Sequence, residues 1–110
     1  MKFKQRDIVF VDFPFTDLSG SKLRPALIIS TELVNDTGDL ICLQITSKEY
    51  NDGMFFPISN SHVVVPLKLK SGIRLNKVFA IHNSLVIKKL SVFKTASFQL
   101  IEKEFRKIVF

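Results

Sequence analysis

The chain has no tryptophan and one cysteine, and its 110 residues include only four glycines and four prolines. A single cysteine excludes an internal disulfide. Cys42 lies in the apolar run Leu40–Ile45 and reads as a small buried hydrophobe rather than a nucleophile. No run approaches the roughly 18 apolar residues that a membrane span requires. The basic start MKFKQRDIVF flows into an apolar run too short for a secretory signal, so a cytoplasmic location is expected. There is no GxxxxGK[ST], GxSxG or GxGxxG, which removes support for nucleotide binding and for a hydrolase elbow. His62 and His82 are far apart, with no Cys or carboxylate at ligand spacing and no HExxH, so neither a metal nor another cofactor is expected.

Acidic charge is missing from one long stretch. Between Gly53 and Ile101 there is no Asp or Glu, while Lys68, Lys70, Arg74, Lys77, Lys88, Lys89 and Lys94 all fall there. The net charge is +6 and the isoelectric point is near 9.7. Such asymmetry suits a polyanion or an acidic protein as partner; a merely soluble basic surface is the plainer alternative. With 46% hydrophobic and 24% charged residues, disorder is not the default. The length suits one domain over residues 1–110, and eleven phenylalanines suggest a core built from rings without polar handles.

What is present is organised around Asp7–Ser30, DIVFVDFPFTDLSGSKLRPALIIS. The runs Ile8–Phe13 and Ala26–Ile29 read as strands. About ten residues separate them, a connection long enough to suggest function. Pro25 pushes Arg24 towards an extended conformation, holding a guanidinium at a strand edge beside a polar loop. Thr31–Asp39 carries turn chemistry. Leu40–Ile45 predicts a third strand, ending at Thr46-Ser47. Phe55–Ile58 and Val63–Leu67 predict short strands, with Pro57 and Pro66 placing them at edges or ends. Val78–Ile81 predicts another strand, and Leu85–Leu90 is ambiguous between strand and turn. From Thr95 the period changes: Phe98, Ile101, Phe105 and Ile108 share the apolar face of an amphipathic helix. Short strands with turn signals and one terminal helix predict a mainly β fold, a small antiparallel barrel with a C-terminal α-helix packed on it.

The strand ending at Val11-Asp12-Phe13, the Ser/Gly-rich loop and the run Arg24-Pro25-Ala26-Leu27-Ile28-Ile29-Ser30 resemble the opening of the PemK/MazF toxins. These are the endoribonuclease halves of bacterial type II toxin–antitoxin pairs. The resemblance is strongest over Asp7–Ser30, moderate at Leu43–Ser47 and Ser71–Phe79, and weak beyond. It implies an SH3-like barrel of the PemK/MazF/CcdB type. It also implies a homodimer with an RNA groove along its interface, and an antitoxin whose acidic or amphipathic tail fills that groove. The implied activity is metal-independent, sequence-selective cleavage of single-stranded RNA, such as mRNA, leaving 2′,3′-cyclic phosphate and 5′-OH ends.

In that family the arginine of Arg-Pro and a threonine closing the third strand are the principal catalytic residues, which here are Arg24 and Thr46. Taken alone, Arg24 reads first as half of a surface ion pair with Asp17 or Asp12, and Thr46 as an ordinary strand-end hydroxyl; it is the two together, inside the resemblance, that favour the catalytic reading. Arginine suits transition-state charge because its fork grips two phosphate oxygens, and a hydroxyl can orient a third. Arg74 matches the arginine of a family Arg-x-Asp, which acts in some members as acid beside an Asp base. This chain has Asn76 there, and an amide cannot accept a proton at neutral pH, so the base is unassigned. His82 and Asp17 are alternatives for it. Two other departures are Arg6, where members usually have Gly, and a shorter first loop. RNA contacts are expected from Thr16, Asp17, Ser19 and Lys22 in the first loop, from Ser47 and Lys48, and from Lys70, Asn76 and Lys77. Lys68 is a further candidate for backbone contacts. Tyr50, Phe55 and Phe56 are candidates for base stacking. Two other readings stay open. One is a nucleic-acid-binding or regulatory module that has lost cleavage, suggested by Asn76; the other is a gyrase-directed toxin like CcdB.

Overall fold

The computed structural model describes residues 2–14 and 21–110. Six strands form one sheet: β1 (Asp7–Pro14), β2 (Ser21–Ile28), β3 (Asp39–Thr46), β4 (Phe55–Pro57), β5 (Gly72–His82) and β6 (Val86–Val92). A short helix α1 (Glu32–Asn35) joins β2 to β3, and α2 (Thr95–Val109) closes the chain. All pairings are antiparallel, in the order β4-β5-β3-β2-β1-β6. β4 is therefore an edge strand, as Pro57 requires.

The sheet is not closed between its β4 and β6 edges. It curls far enough for Val63 to bridge Phe93, with the Val64 N–H donating to the Val92 carbonyl at 2.9 Å. The arrangement is a barrel-like half-wrap carrying a helix on one side.

Alternation along the strands divides the apolar side chains into two layers. On one face Ile8, Leu27, Leu43, Ile45 and Ile73 pack with Phe93 beneath Phe98 and Ile101 of α2. Phe105 and Ile108 of the same helix lie against this cluster, as the three-and-four spacing predicts. On the other face Val9, Val11, Ala26, Ile28, Cys42 and Ile81 gather with Phe3. Cys42 is fully buried there, and burial pushes its thiol up to about 12.

Several elements differ from the sequence expectation. β2 begins at Ser21, not Ala26, because β1 pairs with it back to Pro14–Ser21. β5 is eleven residues long and runs from Gly72, where Val78–Ile81 alone was expected; pairing with β3 and β4 carries Gly72–Arg74, and pairing with β3 resumes at Val78 after an unpaired Leu75-Asn76-Lys77. Residues 63–67 are not a strand. Asn60–His62 forms a 3-10 turn, and only Val63 finds a bridge partner, leaving Val64 and Val65 exposed. Leu85 closes a second 3-10 turn and Val86 starts β6. α1 lies where only turn chemistry was expected.

Arg6 is the one described non-glycine residue with positive φ, at 82°. That backbone region favours glycine, which is what the resembling family usually carries here. Its N–H donates to the Ile28 carbonyl at 2.9 Å, its carbonyl accepts from Phe93 N at 2.8 Å, and its Nη1 donates to the Phe93 carbonyl at 2.8 Å. Three hydrogen bonds thus hold the strained residue in place.

Candidate functional site

The β2–β3 ladder consists of Ile28–Cys42, Leu27–Leu43 and Ala26–Gln44 and then stops. The next residue of β2 is Pro25, which has no N–H to continue it. Carried two residues past the last pair, the same register would set Arg24 against Thr46; the ladder itself ends before them, where the strands part. Both lie on the sheet face that carries Ala26 and Gln44. Lys22 follows two residues further along β2 on that face and is exposed; Arg24 is half-buried.

Thr46 ends β3 in a turn set by its own side chain, whose Oγ1 accepts from the Lys48 N–H at 3.1 Å. A hydroxyl that accepts in this way keeps its own proton for another oxygen. Across the sheet Thr46 pairs with Gly72 of β5. A Cβ at Gly72 would overlap the Phe55 ring, so only glycine lets that ring lie across β5 beside Thr46.

Arg74 is two residues further along β5, paired with Gln44 on one side and Phe55 on the other. It is 7% exposed. A buried guanidinium needs a counter-charge and donors engaged, and the loop after β3 supplies both. Asp52 Oδ2 accepts from Arg74 Nη1 at 2.9 Å, and the Tyr50 ring centroid lies 3.7 Å from the Arg74 guanidinium carbon. Asp52 also accepts from the Met54 N–H through Oδ1 at 3.0 Å. That backbone donor first, and the Arg74 guanidinium second, hold the Asp52 carboxyl below its ordinary value. The Asp52–Arg74 pairing bridges 22 residues and leaves no local signal; in the sequence Asp52 reads only as part of a polar loop.

The remaining site residues distribute as follows. Ser47, Lys48 and Lys70 are exposed near the end of β3, where Ser47, Lys70, Glu49 and Phe55 line a small cavity of about 60 Å³. Asn76 and Lys77 are exposed in a bulge: β3 pairs Leu43 with Val78 and then Gln44 with Arg74, so Leu75-Asn76-Lys77 is extra on β5. Lys77 lines a hollow of about 380 Å³ with Phe13, Gln44 and Phe79 on this face. Lys68 is exposed in the segment before β5. Thr16, Asp17 and Ser19 lie outside the described residues. His82 is at the opposite end of β5 from Gly72, and its Nδ1 accepts from the Ser84 N–H. Phe56 packs into the helix-side core. Among the described residues no group of three or more His, Cys, Asp or Glu side chains is placed to hold a metal ion, and no helix is long and apolar enough to cross a membrane.

No curated protein matches the sequence. Solved structures do match the fold. MazE–MazF (Form-II) from Deinococcus radiodurans is similar at a TM-score of 0.80 with 13% identity, over 99% of this chain and 96% of that one. An endoribonuclease in complex with its cognate antitoxin from a Mycobacterial species is similar at 0.78 with 13% identity, over 96% and 92% of the two chains. The Mycobacterium tuberculosis toxin MazF-mt6 is similar at 0.74 with 16% identity, over 93% and 94%. The family profile described as PemK-like, MazF-like toxin of type II toxin–antitoxin system matches residues 4–109. With nearly its whole length matched, the chain belongs to the PemK/MazF family of toxins.

Proposed function

We propose that this protein is an endoribonuclease toxin that cleaves single-stranded RNA without a metal ion. What supports the reading is that the β2–β3 ladder stops short of Pro25, with Arg24 on β2 and Thr46 on β3 the next residues of the same sheet face beyond its last pair. A phosphate in that gap meets a guanidinium on one strand and a hydroxyl donor on the other. The ribose 2′-oxygen attacks the adjacent phosphorus, the P–O5′ bond breaks, and the products are a 2′,3′-cyclic phosphate and a 5′-OH. Arg24 stabilises the charge growing on the phosphoryl oxygens and Thr46 orients one of them. The 2′-OH must lose a proton and O5′ must gain one. Asn76 cannot take the first, and Asp52 is committed to Arg74 and Met54.

The exposed cations Lys22, Lys48, Lys70 and Lys77 supply backbone contacts, with Ser47 and Asn76 beside them. RNA is taken single-stranded because the 2′-OH must swing in line and bases are readable only when unstacked. A homodimer and an antitoxin with an acidic tail complete the assembly. Solved similar structures include a MazE–MazF complex and an endoribonuclease bound to its cognate antitoxin, and a +6 chain attracts a partner of opposite charge.

The test is incubation of the purified protein with a long single-stranded RNA in EDTA, beside Arg24→Ala, with the ends mapped. Discrete cuts bearing cyclic phosphates, absent in the variant, support the reading. RNA that binds and stays intact replaces it with the non-cleaving binding module that Asn76 favours. RNA that neither binds nor breaks leaves the gyrase-directed alternative.

A further inference from the structure

We infer that Tyr50 is the residue on which the toxin stacks a base of its RNA, and that Arg74 and Asp52 are the positioning residues that hold it there. This rests on the RNA-cleaving reading and names a binding element within it.

From Ser47 to Gly53 every residue is exposed except Tyr50, which is half-buried. A tyrosine inside a polar, solvated loop is normally free to turn. Here its ring lies over the guanidinium of Arg74, which is itself buried beside Gln44 and Phe55 in the sheet. Asp52 ties the loop to the same guanidinium and, through Met54, to itself. The Leu75 N–H donates to the Met54 carbonyl at 2.8 Å and pins the far end of the loop to β5. The near end is fixed by the Thr46–Lys48 turn. The loop is thus anchored at both ends and in the middle.

Location makes this more than a loop anchor. Arg74 is two residues along β5 from Gly72, the partner of Thr46, so the Tyr50 ring sits on the candidate cleavage face. The Phe55 ring lies 6.2 Å from it and Lys48 Nζ 5.2 Å from its centroid. An aromatic plane beside a cation, next to the phosphate position, is the pair of features that single-stranded nucleic acid binders combine. Of the other aromatic candidates, Phe55 lies across Gly72 and Phe56 packs against the helix-side core. Arg74, buried and paired, acts on the RNA through Tyr50 rather than by touching the scissile phosphate.

The chain offers a direct probe, because it has one tyrosine and no tryptophan: intrinsic emission reports Tyr50 alone. Full-length protein is titrated with a random-sequence single-stranded 2′-deoxy oligonucleotide pool, which lacks the attacking hydroxyl, while anisotropy of a labelled fraction records binding independently. Saturable quenching of tyrosine emission that tracks binding is expected. Tyr50→Ala should weaken binding by about ten-fold, since stacking is worth roughly that factor per base, while Tyr50→Phe should bind as wild type. On cleavable RNA, Tyr50→Ala should raise KM by a similar factor with kcat within about two-fold. Arg74→Lys should retain part of the quenching and Arg74→Met should lose it. Binding by anisotropy with unchanged emission, or a Tyr50→Ala variant that binds normally, overturns the assignment and leaves RNA cleavage standing. Absence of binding to the pool while RNA is still cut overturns the assignment alone, and RNA that is neither bound nor cut overturns both.

Discussion

Arg74 and Asp52 form an ion pair in which the two partners are unequally buried: the arginine side chain is 8% exposed and the aspartate 36%. The cost of breaking it therefore depends on which side is removed. A guanidinium left inside without Asp52 loses its counter-charge and keeps the Tyr50 ring alone among the partners described, whereas a carboxylate left at the surface is hydrated by water. Asp52→Asn should lower Tm more than Arg74→Met, compared by thermal unfolding at neutral pH. Equal or reversed losses would show that the pair does not work this way.

The same pair carries a pH dependence. The Asp52 carboxyl is held below its ordinary value of 3.8 in the folded chain, so the unfolded chain binds its proton first as pH falls. The stabilisation is present above about pH 3.8 and is lost as pH drops through the lower folded value. The Tm gap between wild type and Asp52→Asn should be constant from neutral pH to about 5 and shrink below 4.

Cys42 should resist alkylation. Burial raises its thiol from 9.0 to about 12, so almost no thiolate exists at neutral pH, and the thiolate is the reacting form. Iodoacetamide should label the native protein only as fast as it unfolds, and label it quickly in denaturant. The unfolded chain loses this proton first on the alkaline side, so the contribution of Cys42 to stability falls between pH 9 and 12.

Gly72→Ala should destabilise by about 1–3 kcal/mol, because the new methyl group overlaps the Phe55 ring and must displace it. Combining it with Phe55→Leu should recover part of the loss, as coupled neighbours do. Additive losses in denaturant melts would contradict the packing described.

Arg6→Ala should cost about 1 kcal/mol, since it keeps the positive φ and loses the side-chain bond to Phe93. Arg6→Gly loses the same bond but relieves the backbone, and should fall near wild type. The measurement is the urea midpoint of the three proteins.

Removing either of the two proposed phosphate contacts should act on turnover. Thr46→Val keeps the shape and deletes the donor; Arg24→Lys keeps the charge and deletes the fork. Each should reduce kcat by about 10²–10³, the usual consequence of removing one transition-state donor, with Tm within a few degrees of wild type. Unchanged kcat in both would move the reacting phosphate elsewhere.

Local pattern was enough for much of this molecule. The apolar runs at Ile8–Phe13 and Leu40–Ile45, the edge-strand character of the segment holding Pro57 and the helix after Thr95 follow from periodicity and proline chemistry acting over a few residues. The motif Arg24-Pro25 pointed to the toxin family, but Arg24 lies inside β2, paired with Val11, rather than at the edge of a strand that starts at Ala26. The length of β5 and the loss of a strand at 63–67 were not legible in this way. They depend on which edge each segment meets: β5 has strand partners on both sides, where residues 63–67 make a single bridge, Val63 to Phe93, and no ladder.

The sequence by itself determined the strands whose side chains alternate, the amphipathic helix and the placement of basic charge, because each of these is written in neighbours a few residues apart. Tertiary structure alone decided that Arg74 is buried, that Asp52 and Tyr50 reach back to it, and that the β2–β3 ladder ends short of Arg24 and Thr46. Those relationships follow from strand register and from where the β2–β3 ladder ends, and register is a property of paired strands rather than of any one stretch.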